Sequence, residues 1–215
     1  MARLDQIVLL RHDAMHVLPI LLIGFVLGLR HATDADHVVA VATLVSREKR
    51  ATAASKLGAM WGAGHMLTVM LVGGAIIGFG VALPARVALS LELCVGVMLI
   101  ALGAFNLASR HVHESAAPRT GTQSFGVGVV HGLAGSAAIA LMMLATIRDP
   151  AWAIAYLALF SVGTIAGMTL ITSAMALPMV LASRARHFRE ALPRLAGVLS
   201  VAFGFFVIYR IAIAW

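Results

Sequence analysis

The chain has little charge and less acid. Of its 215 residues only 12% are Asp, Glu, Lys or Arg, and only nine are acidic. With 61% apolar residues and a mean hydropathy of +0.97, it falls far outside the soluble globular range and reads as an all-α polytopic membrane protein. Cysteine is nearly absent. The single Cys94 excludes an internal disulfide and a thiolate-rich metal site, so any metal ligands are nitrogen, oxygen or thioether. No Gly-x4-Gly-Lys-Ser/Thr phosphate loop and no His-Glu-x-x-His pair is present, and Gly135-Ser136 lacks the flanks of a nucleophile elbow, which argues against ATP-driven or hydrolytic chemistry and for a non-enzyme. The net charge of +7 is spread over short connectors rather than gathered in one stripe with interleaved aromatics, so nucleic acid is not the expected partner.

What the chain has is long apolar runs. Six windows reach about 20 residues, the length that crosses the hydrocarbon core. They lie at about 18–45, 57–83, 87–108, 125–147, 151–182 and 192–214, which makes residues 1–215 a single transmembrane domain. The first window, preceded by Arg3 and Arg11, is read as a retained span rather than a cleaved leader. The first and fifth windows are overlong, and their glycines and Pro178 allow a tilt or a break.

Basic residues fix the expected orientation. Connector 46–56 holds Arg47, Lys49, Arg50 and Lys56; 109–124 holds Arg110 and Arg119; 183–191 and its flank hold Arg184, Arg186, Arg189 and Arg194. The opposite side has only Arg3, Arg11, Arg86 and Arg148. The positive-inside rule then puts both termini outside and these three connectors in the cytoplasm, as expected of a multi-pass protein of the cytoplasmic membrane.

The two halves also look alike at a shift of about one hundred residues. His31 falls over His131, Met66 over Met168, and Gly96 and Gly103 over Gly197 and Gly204. Three spans separate the copies, so the expectation is two inverted three-helix repeats, an arrangement common among transporters.

The chemistry concentrates in His31-Ala32-Thr33-Asp34-Ala35-Asp36-His37. An Asp near a helix centre costs roughly 2.5 to 3.5 kcal/mol even on lenient insertion scales, so four ionisable groups inside one span mark a binding site or pathway. On an ideal helix His31, Asp34 and His37 share an arc of about 120°, while Asp36 points about 140° from His31. Asp36 then either accepts an imidazole N–H from behind the ligands or joins the site only if the helix unwinds. Arg30, one turn before Asp34, is placed to neutralise that carboxylate. Imidazole with carboxylate suits borderline dications such as Ni2+, Co2+ or Zn2+. On the next span, Trp61-Gly62-Ala63-Gly64-His65-Met66-Leu67-Thr68 offers His65 as a further ligand, with glycines that admit close helix approach.

His131 on the fourth span is read first as a structural histidine, with metal binding as the alternative. Glu92 and Arg210 are expected to pair between the third and sixth spans. His12, Asp13 and His16 before the first span, and His111, His113 and Glu114 in a connector, are solvated groups that could also capture or accept metal.

The string Arg30-His31-Ala32-Thr33-Asp34-Ala35-Asp36-His37-Val38 resembles the HX4DH signature helix of the NiCoT nickel/cobalt transporter family, and Gly64-His65-Met66-Leu67-Thr68 resembles that family's Gly-His motif on the next helix. Gly167-Met168-Thr169 stands where the family has a Gly-Met-Ser run. The resemblance implies metal recognition by His31, Asp34, Asp36 and His37, assisted by His65, with Ni2+ or Co2+ as transported substrate rather than cofactor. Eight-span members carry acidic residues in later motifs; here His131-Gly132-Leu133-Ala134-Gly135-Ser136 and Met168-Thr169-Leu170-Ile171-Thr172 have none. The chain looks more like the short six-span branch associated with nickel-enzyme maturation, whose proteins would be partners on the cytoplasmic side.

The expected function is therefore uptake of Ni2+ or Co2+ through the bilayer, driven by membrane potential. An efflux permease of the same architecture is one alternative. A haem-binding redox membrane protein is another, though it leaves Asp34 and Asp36 unexplained.

Overall fold

The computed structural model describes residues 19–48, 50–79, 84–108, 120–132, 144, 146–147, 149–182 and 186–214. Among the described residues there is no strand, and seven continuous helices are delimited: α1 (Pro19–His31), α2 (Ala35–Val45), α3 (Ala51–Phe79), α4 (Ala85–Ala108), α5 (Gly121–Gly132), α6 (Pro150–Ala182) and α7 (Arg186–Ala214). Among the described residues, four stretches are long and apolar enough to cross a membrane: Ala51–Phe79, Ala85–Ala108, Pro150–Ala182 and Ala191–Ile213. His12, Asp13, His16, His111, His113, Glu114 and the Gly135-Ser136 step lie outside the described residues, as does much of the 125–147 window beyond α5.

The first window is helical in two pieces. α1 and α2 are about 20 Å and 16 Å long, each too short by itself to cross a core about 30 Å thick. Polar residues make the break. The Thr33 N–H and hydroxyl both donate to the Arg30 carbonyl, at 2.8 and 2.6 Å, and the Asp34 N–H donates to the His31 carbonyl at 3.1 Å. These three-residue closures tighten the last turn of α1, and Asp34 turns extended at φ −59°, ψ 146° before α2 restarts with Val38 N–H donating to the Asp34 carbonyl. The break removes the one-turn geometry between Arg30 and Asp34: Arg30 is exposed and does not pair with the carboxylate.

The overlong fifth window does not break. α6 runs 33 residues through Pro178, which stands about one turn from its end, where its missing N–H costs a single ladder bond. At about 50 Å the helix has to tilt or enter the headgroup region.

Glycines seat the helices on one another. A Cβ at Gly28 would overlap the Phe160 carbonyl and lie 2.8 Å from Thr164 N; a Cβ at Gly128 would overlap the Trp61 carbonyl and lie 2.9 Å from His65 N. α1 therefore lies along α6 at backbone contact, and α5 lies along α3 in the same way. The equivalence extends further. Gly64 meets Phe125 as Gly163 meets Phe25; Gly58 meets Thr172 as Gly73 meets Leu157; Gly96 meets Gly204 as Gly103 meets Gly197. α3 and α6 thus run antiparallel, as do α4 and α7, and a twofold axis lying across the helices exchanges α1 with α5, α3 with α6 and α4 with α7. This is an inverted repeat in which each half's first helix packs against the other half's second.

The register corrects one pairing. With Trp61 over Phe160 and His65 over Thr164, Met66 corresponds to Ile165, not Met168; the His31/His131 and glycine pairings stand. The expected Glu92 and Arg210 pair is also absent. Both side chains are exposed, because the α4·α7 seam is filled by glycines and their apolar neighbours.

α2 lies between the α3·α6 centre and the α4·α7 pair. Its end is held by buried polar groups: Asn106 Nδ2 donates to the Thr43 carbonyl at 3.2 Å and to Ser46 Oγ at 3.1 Å, and Arg47 donates to the Asn106 carbonyl at 2.7 Å. In the same connector, burial pushes the Glu48 carboxyl above its usual range, partly offset by Arg50, and burial lowers the Arg47 guanidinium.

Candidate metal centre

Four elements bring histidines to one point: His31 ends α1, His37 opens α2, His65 stands midway along α3, and His131 lies at the end of α5. All four are buried. Their positions follow from the glycine contacts. Gly64 and Gly128 press α5 onto α3, bringing His65 and His131 together, while the break after His31 re-aims the chain so that the His37 ring meets the His31 ring. Ring centroids are 4.6 Å apart for His31 and His37, 5.0 Å for His37 and His65, 5.1 Å for His31 and His65, and 4.3 Å for His37 and His131.

The carboxylates stand behind the rings. His31 Nδ1–H donates to Asp34 Oδ2 at 2.9 Å and His37 Nδ1–H donates to Asp36 Oδ1 at 3.0 Å. In both, the carboxylate fixes the tautomer and leaves the Nε2 lone pair for a ligand, the usual arrangement for metal-binding histidine. Asp36 also accepts from His131 Nε2–H through Oδ2 at 2.9 Å. The two acids differ in setting: the Asp36 side chain is 17% exposed and the Asp34 side chain 39%. The helix break thus takes the alternative in which Asp36 turns inward, and it moves Asp34 to the rim.

Two donor sets result. One ring nitrogen each from His31, His37 and His65 lie within 4.8 Å of one another, and so do the donor atoms of Asp36, His37 and His131. His31 Nε2 and His65 Nε2 are 2.9 Å apart. Neighbouring donors on an octahedral ion with bonds of about 2.1 Å stand about 3.0 Å apart, so this spacing suits two ligands of one cation. His37 Nε2, His65 Nδ1 and His131 Nδ1 are buried with no hydrogen-bond partner. Orphaned buried nitrogens cost about 1–3 kcal/mol each, and three beside two carboxylates fit a site built to receive a cation. Trp61 and Phe160 wall the site, 5.5 Å from the His131 ring and 5.7 Å from the His31 ring.

Of the residues singled out in sequence, His31, Asp36, His37 and His65 share one buried cluster, and Asp34 touches it through His31. His131 belongs to it as well. The signal that placed it was the one-hundred-residue repeat with His31, which its flanks, Val130 and Gly132, do not reveal.

Comparison with known proteins shows the chain's family. No family model and no solved structure matches the chain. The urease accessory protein UreH of Bacillus sp. (strain TB-90) is 32% identical over 217 aligned residues, which cover 94% of this chain and 95% of that protein. At this identity and coverage the chain belongs to the family of UreH.

Proposed function

We propose that the protein is a transition-metal permease that moves Ni2+, with Co2+ as the close competitor, inward across the cytoplasmic membrane. The observation that carries this reading is the set of three buried imidazoles, His31, His37 and His65, with donor atoms within 4.8 Å at the break between α1 and α2. Nitrogen donors with nearby carboxylate favour borderline dications over hard ones. The relative's name ties it to urease, a nickel enzyme, which favours nickel among them.

An entering ion exchanges water for the ring nitrogens of His31, His37 and His65. Asp36 and Asp34 keep their Nδ1–H bonds, hold the rings in register and offset the two positive charges, which lowers the barrier to a dication at membrane depth. Inward movement of two charges gains about 4.6 kcal/mol per 100 mV, about three decades of accumulation. The four imidazoles pack ring against ring at 4.3 to 5.8 Å, which leaves no slot for a porphyrin and favours a bare ion over haem.

Labelled nickel uptake into intact cells tests the reading. Uptake is expected to fall with a potential-collapsing ionophore, to be competed by Co2+, and to be lost in His37→Ala. Wild-type rates in His37→Ala, or net export from preloaded cells, would contradict it.

A further inference from the structure

We propose that His37 and His131, with Asp36 bonded behind both rings, form a second cation seat, and that the ion passes between it and the His31/His37/His65 seat while His37 stays bound. The inference rests on the metal-permease reading and extends it to how the ion moves.

The donor atoms of Asp36, His37 and His131 lie within 4.8 Å of one another. Asp36 bonds both rings, at 3.0 Å to His37 Nδ1 and 2.9 Å to His131 Nε2. Each ring keeps a bare lone pair, on His37 Nε2 and His131 Nδ1, and neither buried atom has a partner. A histidine serving only to hold Asp36 would not need its other nitrogen left without one.

Symmetry gives His131 its counterpart. The contacts that relate Gly28 to Gly128 and Trp61 to Phe160 also carry His31 onto His131, and the wall beside each ring matches: Phe160 beside His31 and Trp61 beside His131. Each repeat's first helix therefore ends in a buried histidine at the same point of the framework. His37 lies against both, 4.6 Å from the His31 ring and 4.3 Å from the His131 ring. One seat is completed by α1 and α3, the other by α5. Because α1 rides on α6 and α5 rides on α3, a rocking of the α1/α6 pair against the α3/α5 pair changes which of the two histidines stands close to His37. The shared ligand also limits occupancy to one ion, since both seats cannot hold His37 at once.

The test is equilibrium dialysis of the purified full-length protein in detergent against Ni2+. Wild type is expected to bind one ion per chain. His65→Ala breaks only the first seat and is expected to weaken binding by about tenfold. Adding His131→Ala or His131→Asn to His65→Ala removes the second seat too, and binding is expected to fall by a further tenfold or more. His131→Asn matters most, because its amide still donates to Asp36 while its imidazole is gone. If His65→Ala/His131→Asn binds as tightly as His65→Ala, His131 only braces Asp36 and the second seat does not exist. Two ions per wild-type chain would equally overturn the shared-ligand account. If wild type binds no Ni2+ and no Co2+, the permease reading itself falls, a failure visible before any variant is made.

Discussion

In the first repeat, α1 ends at His31 and is followed by Asp34, Asp36 and His37; in the second, His131 stands in the last turn of α5 and the sequence continues Gly132-Leu133-Ala134-Gly135-Ser136 with no acid. His65 on α3 has Thr164 as its counterpart on α6, where the hydroxyl donates to its own helix, to the Phe160 carbonyl at 2.9 Å. Yet the backbones of the two halves meet through matched contacts at Gly28 and Gly128, and at Gly64 and Gly163. The framework is shared while the chemistry is concentrated in one half. Packing demands act equally on both copies of a symmetric scaffold, whereas one ion at its centre needs a single strong donor set.

The largest effect on folding should fall on the shared part. Gly28→Leu and Gly128→Leu each force a side chain into a neighbouring backbone, and each is expected to reduce the yield of monodisperse protein by about tenfold, by size-exclusion chromatography. A loss from one and not the other would break the equivalence of the halves.

The unshared part is tested by exchanging character between the repeats. His65→Thr gives the first repeat the second's residue and should cut nickel uptake by about a hundredfold at low metal concentration. Thr164→Val, at the matching position, should change it less than twofold, by the same assay.

The two acids of the first repeat come next. Asp36→Asn leaves both His37 and His131 without their carboxylate and is expected to weaken nickel binding by about a hundredfold, whereas Asp34→Asn, at the half-exposed rim, is expected to weaken it by about tenfold. Calorimetric titration of the two purified variants would measure the ratio.

The smallest effect concerns Glu48, in the connector after α2. Burial raises its carboxyl above the unfolded value, so its ionisation opposes folding. That penalty is absent below the unfolded value near 4.3, builds as pH rises through the raised folded value, and is complete above it. Glu48→Gln should therefore raise the thermal midpoint at pH 7 by about 1–2 °C and leave it unchanged near pH 4.

Much of this was readable before any coordinates. Hydropathy marked the apolar helices because lipid imposes a length and composition that few other constraints do. The His/Asp run marked the centre because ionisable groups are so costly there. Spacing could not say which acid faces inward: ideal helical geometry put Asp34 among the ligands and Asp36 aside, and the break at Thr33 and Asp34, made by side-chain and three-residue backbone bonds, reversed their exposure. His131 stayed ambiguous because a lone histidine beside glycine reads the same whether it braces a neighbour or binds an ion. The repeat paired it with His31, and the contacts of Gly28 and Gly128 put it at the matching point of the framework. The expected Glu92 and Arg210 pair failed because opposite charges on adjacent spans do not reveal which faces the helices turn to each other.

The central claim, that a transition-metal ion is held by imidazoles at the helix break, is tested most directly by X-ray absorption at the nickel edge on the purified, nickel-loaded protein. The expected spectrum shows nitrogen and oxygen donors with clear imidazole scattering, no sulfur, and fewer imidazoles in His37→Ala. An all-oxygen shell, or identical spectra for wild type and His37→Ala, would contradict the account.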